Sequence, residues 1–228
     1  MDILRDFSVT DDSCYSLATS MQQTVEHSNL HFVEDIGEIL IDAIMDDGIL
    51  KDVPILGAIA GVGKCIKNVY DIRFAKKLIA FLIPIKEVTP EQRAKAIRRW
   101  EQDSNYRGKV GDTILGMIER CDDTLKAMWL SKLFYELVLK KNSSRLFMRA
   151  EKILSSLSVM DVQTFLNMPK DKYQRISEAE CEPFIGSGLY QLPKISAPVN
   201  GKLSFNNNYC VPTEVGVQIY QILNEHSM

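Results

Sequence analysis

The fold depends most on the stretch Ile49–Ile85, which reads ILKDVPILGAIAGVGKCIKNVYDIRFAKKLIAFLIPI. Its first half is rich in small and aliphatic residues and carries no charge between Val53 and Gly63. Pro54 fits the first turn of a helix, where its missing N–H costs nothing, and Pro84 is expected to end or kink the segment. The pattern therefore predicts closely packed helices.

The glycines of this stretch resemble a phosphate-binding loop only in part. The run Gly57-Ala-Ile-Ala-Gly61-Val-Gly63-Lys64-Cys65 has alanine where the loop needs its first glycine, and cysteine where it needs serine or threonine. Small residues four apart, such as Gly57 and Gly61, instead allow two helix backbones to approach closely. Such packing offsets the roughly 1 kcal/mol that each glycine costs inside a helix. The sequence predicts no nucleotide site and no cofactor.

Lysines and arginines follow the apolar run. A simple membrane span needs about 20 apolar residues, and this run is shorter. Three interpretations stay open: a buried central helix, an interfacial helix that meets anionic lipid, and a surface for a protein partner. A helical hairpin exposed only after a trigger is a variant of the second. The candidate interaction or membrane site comprises Gly57, Gly61, Gly63, Lys64, Lys67, Arg73, Lys76 and Lys77.

Charge is distributed unevenly along the 228 residues, although the net charge is only −3. Residues 1–59 hold 12 acidic and 2 basic residues, whereas residues 60–109 hold 12 basic and 5 acidic ones. Either these segments pack side by side, or a basic face meets lipid or nucleic acid. Five scattered cysteines without a CxxC pair indicate a reducing compartment, and the acidic N-terminus does not resemble a secretory signal. We expect a cytoplasmic protein, with peripheral association at the inner membrane as an alternative.

Helical patterns dominate residues 1–168, and short connections between them predict a compact bundle. Thr89-Pro90-Glu91-Gln92 is a strong helix start, because Thr89 and Gln92 are spaced as a capping box. The expected helices span about residues 11–26, 30–46, 90–100, 108–120, 123–141, 144–156 and 159–167. The fold class is therefore mainly α.

A different element follows in residues 169–228. Ser177 and Glu180 are spaced as a second capping box. Extended runs near 188–196 and 202–210 flank Asn200-Gly201, the residue pair that favours a tight hairpin turn, and Thr213 is placed to cap a last helix. The order is helix, β-hairpin, helix.

Two short motifs in this tail, Ser187-Gly188-Leu189-Tyr190 and Thr213-x-x-Gly216, resemble the end of winged-helix domains. That family includes DNA binders and protein-interaction modules. The resemblance places the recognition helix at about 177–187, but this segment holds Glu178, Glu180 and Glu182 and no lysine or arginine. Phosphate repulsion opposes its docking in a DNA groove.

Nucleic-acid binding would instead depend on other residues. Arg98 and Arg99 beside Trp100 allow phosphate contact together with stacking, and Lys202 lies in the expected hairpin. A solvated helix surface explains the same arginines equally simply.

The segments Asp47–Gly57 and Arg73–Leu78 resemble uncharacterised bacterial proteins of similar length, a resemblance that implies no activity or site residues. His27 and His31 are the only closely spaced histidines, and a metal site needs further convergent ligands. The sequence offers no nucleophile elbow. We therefore predict no enzyme, and no catalytic, cofactor-binding or metal-ligating residue.

The leading hypothesis is a non-enzymatic helical interaction protein, an effector or accessory component in bacterial defence that acts through a partner or a membrane surface. The alternative is a winged-helix DNA-binding regulator. The expected partner is a protein; an anionic membrane surface, nucleic acid and self-association are the other interpretations.

Overall fold

The computed structural model describes residues 11–28, 30, 53–62, 69–103, 109–141, 143–169, 174–193 and 209–225. The chain forms two compact units, Met1–Ser144 and Arg145–Met228. Its described part is mainly helical, with one small antiparallel sheet in the second unit. The predicted fold class is thereby confirmed.

The first unit is a helical bundle. Its helices are α1 Asp11–His27, α2 Pro54–Val62, α3 Val69–Ile85, α4 Pro90–Glu101, α5 Val110–Arg120 and α6 Thr124–Leu133, which continues as a π-helical turn over Phe134–Lys140. α3 packs along α6, while α1 contacts α2, α4 and α5. The helix expected at 30–46 lies outside the described residues apart from Leu30.

The capping box predicted for α4 is present. Thr89 Oγ1 accepts from the Gln92 N–H, and the Gln92 side chain accepts from the Thr89 N–H.

α1 and α5 cross with their backbones almost in contact at Gly111. A Cβ atom on Gly111 would lie 2.0 Å from the carbonyl oxygen of Ala18 and 2.9 Å from the backbone nitrogen of Gln22. Only glycine fits this position. The sequence did not single out Gly111, and the close approach that it assigned to Gly57 and Gly61 stays a prediction.

A buried arginine holds the end of α1. Arg93, which is 1% exposed, donates from Nη2 to the Ser28 carbonyl at 2.5 Å and from Nη1 to the Thr24 carbonyl at 3.5 Å. Burial lowers the pKa of Arg93 to about 10, so the side chain stays charged at neutral pH. The Thr24 hydroxyl also accepts from the Ile55 N–H at 2.9 Å. The end of α1 is thereby tied to both α4 and α2.

Aromatic rings fill the core between α3, α4 and the π-helical turn. The Phe134 ring lies 5.6 Å from Phe81 and 6.2 Å from Trp100, measured between centroids. Pro84 lies inside α3, where its missing N–H interrupts the helical hydrogen bonds. About one turn before Pro84, the Phe81 carbonyl accepts a hydrogen bond from the buried Ser131 hydroxyl. This bond joins α6 to α3.

The second unit combines four helices with a three-stranded sheet among its described residues. The elements are α7 Ser144–Ser156, α8 Val159–Leu166, β1 Ile176–Ser177, α9 Glu178–Ile185, β2 Tyr190–Gln191, β3 Tyr209–Pro212 and α10 Glu214–Glu225. The strand order is β1-β3-β2 and both pairings are antiparallel, with Ile176 opposite Cys210 and Tyr190 opposite Pro212. The helix–hairpin–helix order is confirmed, although the Asn200-Gly201 turn lies outside the described residues.

An aromatic cluster around Phe165 joins α8 to the C-terminal element. The Phe165 ring centroid lies 6.0 Å from those of Phe184 and Tyr190 and 5.7 Å from that of Tyr220. The sequence placed the domain boundary after residue 168. The structure groups α7 and α8 with the C-terminal unit, because α8 supplies this central ring.

The two motifs that resemble winged-helix domains contact each other. Gly188 has a φ angle of +90°, which favours glycine. The Thr213 hydroxyl donates to the Gly188 carbonyl at 2.7 Å and accepts from the Gly216 N–H at 3.0 Å, so it caps α10 as predicted. A Cβ atom on Gly216 would lie 2.2 Å from the Leu189 carbonyl oxygen.

Candidate functional site

The apolar stretch of the predicted interaction site is buried near its beginning and part-exposed over residues 57–59. Val53, Ile55 and Leu56 are buried, and α2 is helical through the positions of Gly57 and Gly61. Within the described residues 53–62, the glycines follow helical residues that begin at Pro54 and do not follow a strand, which a phosphate-binding loop would require. The predicted candidates Gly63, Lys64 and Lys67 lie outside the described residues.

The basic residues of α3 have two different roles. Lys77 donates from Nζ to the carbonyls of Cys121 at 2.7 Å and Glu119 at 3.0 Å. It therefore satisfies carbonyls at the end of α5, as cations near a helix C-terminus do, and is not free to meet lipid. Arg73 and Lys76 are exposed and remain available for a partner.

The nucleic-acid candidates on α4 differ in how far their side chains are exposed. Arg98 and Arg99 are exposed, but Trp100 is only 2% exposed and packs on Phe134. Trp100 is therefore a core residue and cannot stack on a base, which corrects the sequence interpretation. Lys202 lies outside the described residues.

Cys121, Cys181 and Cys210 are buried. Burial, together with a hydrogen bond to the neighbouring Cys210 thiol, raises the pKa of Cys181, so this thiol is protonated at neutral pH and a poor nucleophile. His27 is exposed, with its Nε2 atom 3.2 Å from Glu26, and His31 lies outside the described residues. Within the described ranges, no group of three or more metal-ligating side chains converges.

The structure instead reveals a cleft between α8 and α9 in the second unit, which we call the α8–α9 cleft. Its volume is about 800 Å³, within the range of about 300–1,000 Å³ seen for binding sites. Most of its lining is apolar. The described lining residues are Met160, Asp161, Gln163, Thr164, Asn167, Met168, Pro169, Ile176, Ala179, Glu180, Pro183 and Phe184.

Each helix that borders the cleft begins with a capping box. Asp161 accepts from the Ser158 hydroxyl at 2.6 Å and its backbone N–H at 3.2 Å. Glu180 accepts from the Ser177 hydroxyl at 2.8 Å and its backbone N–H at 3.3 Å. The caps fix both carboxylates, so the cleft has a negatively charged border.

The charged residues of the described cleft lining are both acidic. Asp161 and Glu180 are the charged members, and the rest are apolar or neutral. α8 and α9 together contain four carboxylates and no lysine or arginine. The described part of the lining also contains no cysteine or histidine. The arrangement therefore suits binding of a cation with an apolar part.

Exposed apolar side chains concentrate in the second unit. Met160 is 72% exposed at the border of the cleft. The other exposed large apolar side chains of the described residues are Met148, Ile185 and Leu192. Methionine adapts to partners of irregular shape and is over-used at binding surfaces, so Met160 is well placed to contact a ligand.

Comparison with known proteins gives no further assignment: no protein-family model, curated protein or solved structure matches this chain. None of the helices in the described ranges has both the length and the apolar character needed to cross a membrane.

Sequence reasoning missed the α8–α9 cleft. The capping box at Ser177 and the surplus of acid in α9 were visible, but the first indicated only where a helix begins and the second only that the segment repels DNA. Met160 gave a weak signal, since it precedes a capping aspartate in a helix whose buried residues include Val162 and Phe165. Its exposure appears only once α8 and α9 are placed side by side.

Proposed function

We propose that this chain is a non-enzymatic interaction protein whose α8–α9 cleft binds a positively charged protein segment with an apolar anchor. The observation that carries the proposal is an apolar cleft of about 800 Å³ bordered by two capped carboxylates, Asp161 and Glu180. The apolar lining favours burial of an aliphatic or methionine side chain. The carboxylates favour a lysine or arginine beside it.

The charge of the cleft separates this proposal from the other interpretations. Lipid headgroups and nucleic acid present phosphates, which Asp161 and Glu180 repel. A basic helix in a groove is a common mode of protein recognition, in which apolar anchors recur every three or four residues. A protein segment of this kind fits both the lining and the border.

The test is a titration of a fluorescein-labelled amphipathic peptide of leucine and lysine, followed by fluorescence anisotropy. A matched peptide with glutamate in place of lysine is the ligand control. The key variant is Asp161→Asn combined with Glu180→Gln, because an amide side chain retains the capping acceptor and only the charge is lost. Two part-exposed ion pairs contribute about 0.4–2 kcal/mol together, so we expect binding to weaken about two- to thirtyfold.

A second variant, Met160→Ala, tests the apolar part of the cleft. We expect it to weaken peptide binding while the helical circular dichroism signal stays unchanged, since Met160 is largely exposed. Leu192→Ala, which alters an exposed apolar side chain outside the cleft lining, is the control and should bind as the wild type does. Equal binding by all these variants, or binding of anionic vesicles or duplex DNA in preference to the basic peptide, would refute the proposal.

A further inference from the structure

The outward face of α7 has the opposite character to the cleft. Arg145, Met148, Arg149 and Lys152 are all exposed, and their spacing of three and four residues places them on one side of the helix. The opposite side buries Phe147, Ala150, Ile153 and Leu154. We call the exposed side the α7 face. It presents three cations around one methionine that is 37% exposed.

The charges of the α7 face have no acidic counterpart within the described part of the chain. None of Arg145, Arg149 and Lys152 forms an ion pair with a described residue. Glu151, the one acid in α7, is buried and accepts from the Ser155 hydroxyl at 3.0 Å. The field of the α7 face is therefore positive.

We infer that the α8–α9 cleft binds the α7 face of a second copy of this chain. Met148 supplies the apolar anchor for the methionine-containing lining, and the three cations meet Asp161 and Glu180. The inference rests on the proposed function, because it uses the same cleft. It names a ligand that the chain itself carries, and charge complementarity selects that ligand over an acidic or neutral one.

The symmetry of the contact determines the assembly. If two copies exchange α7 faces reciprocally, the contact occurs twice and closes a dimer; a one-way contact leaves a free face and a free cleft and extends into chains. From Arg145 to Lys152, the α7 face is about 10 Å long. Its four residues are far fewer than the roughly 20–30 residues that each partner contributes to a standard complex. We therefore expect weak association, with a dissociation constant of about 10–500 µM. This constant should rise as salt is added, because salt screens the charges.

Sedimentation velocity of the full chain between about 10 µM and 1 mM protein tests the inference. The α7-face variant is Arg145→Gln, Arg149→Gln and Lys152→Gln together, and the cleft variant is Asp161→Asn with Glu180→Gln. We expect the cleft variant to weaken self-association about two- to thirtyfold, as for the peptide, and the α7-face variant to weaken it by a similar factor. The matched control is Lys95→Gln, Arg98→Gln and Arg99→Gln, which removes three exposed cations from α4 and should associate as the wild type does.

Mixing the two defective variants gives the decisive measurement. The α7-face variant retains an intact cleft, and the cleft variant retains an intact α7 face. An equimolar mixture should therefore form heterodimers at a protein concentration at which neither variant associates alone. A wild type that stays monomeric to about 1 mM, a mixture that stays monomeric, or a control that is as defective as the α7-face variant would each overturn the inference.

The failure of this inference can be told apart from failure of the proposed function. A monomeric protein that still binds the basic peptide through its cleft refutes only self-association. Loss of peptide binding refutes both. Binding of the α7 face to anionic vesicles or duplex DNA, abolished by its triple variant and without self-association, would also overturn the inference and assign that face to a phosphate-bearing ligand.

Discussion

Gly111→Ala should destabilise the first unit by forcing apart two helices whose backbones nearly touch. The added Cβ atom would lie 2.0 Å from the Ala18 carbonyl oxygen, whereas ordinary contact begins at 3.4 Å. The helices must therefore separate locally by about 1.4 Å, and the obstacle is backbone that has no rotamer to change. Overpacking of this kind costs about 1–3 kcal/mol, against which the better helix propensity of alanine returns up to about 1 kcal/mol. We expect a net loss of about 1–2 kcal/mol.

The matched control lies one and a half turns further along the same helix. A Cβ atom on Gly116 would meet only the Arg120 Nη1 atom at 3.4 Å, the end of a flexible side chain that can move. Gly116→Ala therefore gains helix propensity without a clash, and we expect it to be neutral or stabilising by up to about 1 kcal/mol. The two alanine variants should differ by roughly 1–3 kcal/mol in the free energy of unfolding.

Urea denaturation followed by tryptophan fluorescence measures this difference. Both tryptophans of the chain, Trp100 and Trp129, are buried in the first unit, so the signal reports that unit. With a slope of about 1–3 kcal/mol per molar urea, the expected loss of about 1–2 kcal/mol for Gly111→Ala should lower the midpoint by about 0.3–2 M. Equal midpoints for the two alanine variants would show that α1 and α5 do not cross this closely.

Three further predictions concern other contacts. Arg93→Met removes the buried donors at the end of α1 and should cost about 2–4 kcal/mol by the same fluorescence assay, whereas Arg98→Met on the exposed side of α4 should stay within about 0.5 kcal/mol. Gly216→Ala should speed hydrogen exchange across α10, because its Cβ atom would meet backbone at 2.2 Å; Gly186→Ala, with nothing within 4 Å, should leave exchange unchanged. A backbone hydrogen bond and the neighbouring threonine hydroxyl lower the pKa of Glu91 from 4.5. The unfolded state therefore binds the Glu91 proton more readily than the folded state does. The stability that this carboxylate contributes above pH 4.5 is lost on acidification. The urea midpoint of the wild type should therefore exceed that of Glu91→Gln at pH 7 and approach it at pH 3.

Local signals in the sequence predicted the helix ends well. The capping boxes at Thr89 and Ser177 depend on side chains three residues apart, so no tertiary information is needed to find them. The same holds for the Thr213 cap, whose hydroxyl bonds three residues ahead. These interactions are local in the chain, and the structure confirms the caps expected at Thr89, Ser177 and Thr213.

Long-range contacts could not be predicted from the same patterns. Arg93 occurs in a run of exposed basic residues, and only the placement of α1 shows that it points inward to the Thr24 and Ser28 carbonyls. The same holds for Trp100, whose burial depends on Phe134. The sequence expected one helix over 123–141, whereas the turn from Phe134 to Lys140 is π-helical. Periodicity over so short a segment does not distinguish the two.

The crossing of α1 and α5 has a consequence for synthesis on the ribosome. Gly111 follows Ala18 by about 90 residues, so at about 5–20 residues per second α1 is made roughly 5–20 s before the helix it must touch. During that interval α1, whose side chains Met21 and Val25 are fully buried in the finished unit, lacks one of the three helices that it contacts there. The nascent first unit is therefore most exposed to aggregation and to chaperone binding before α5 emerges.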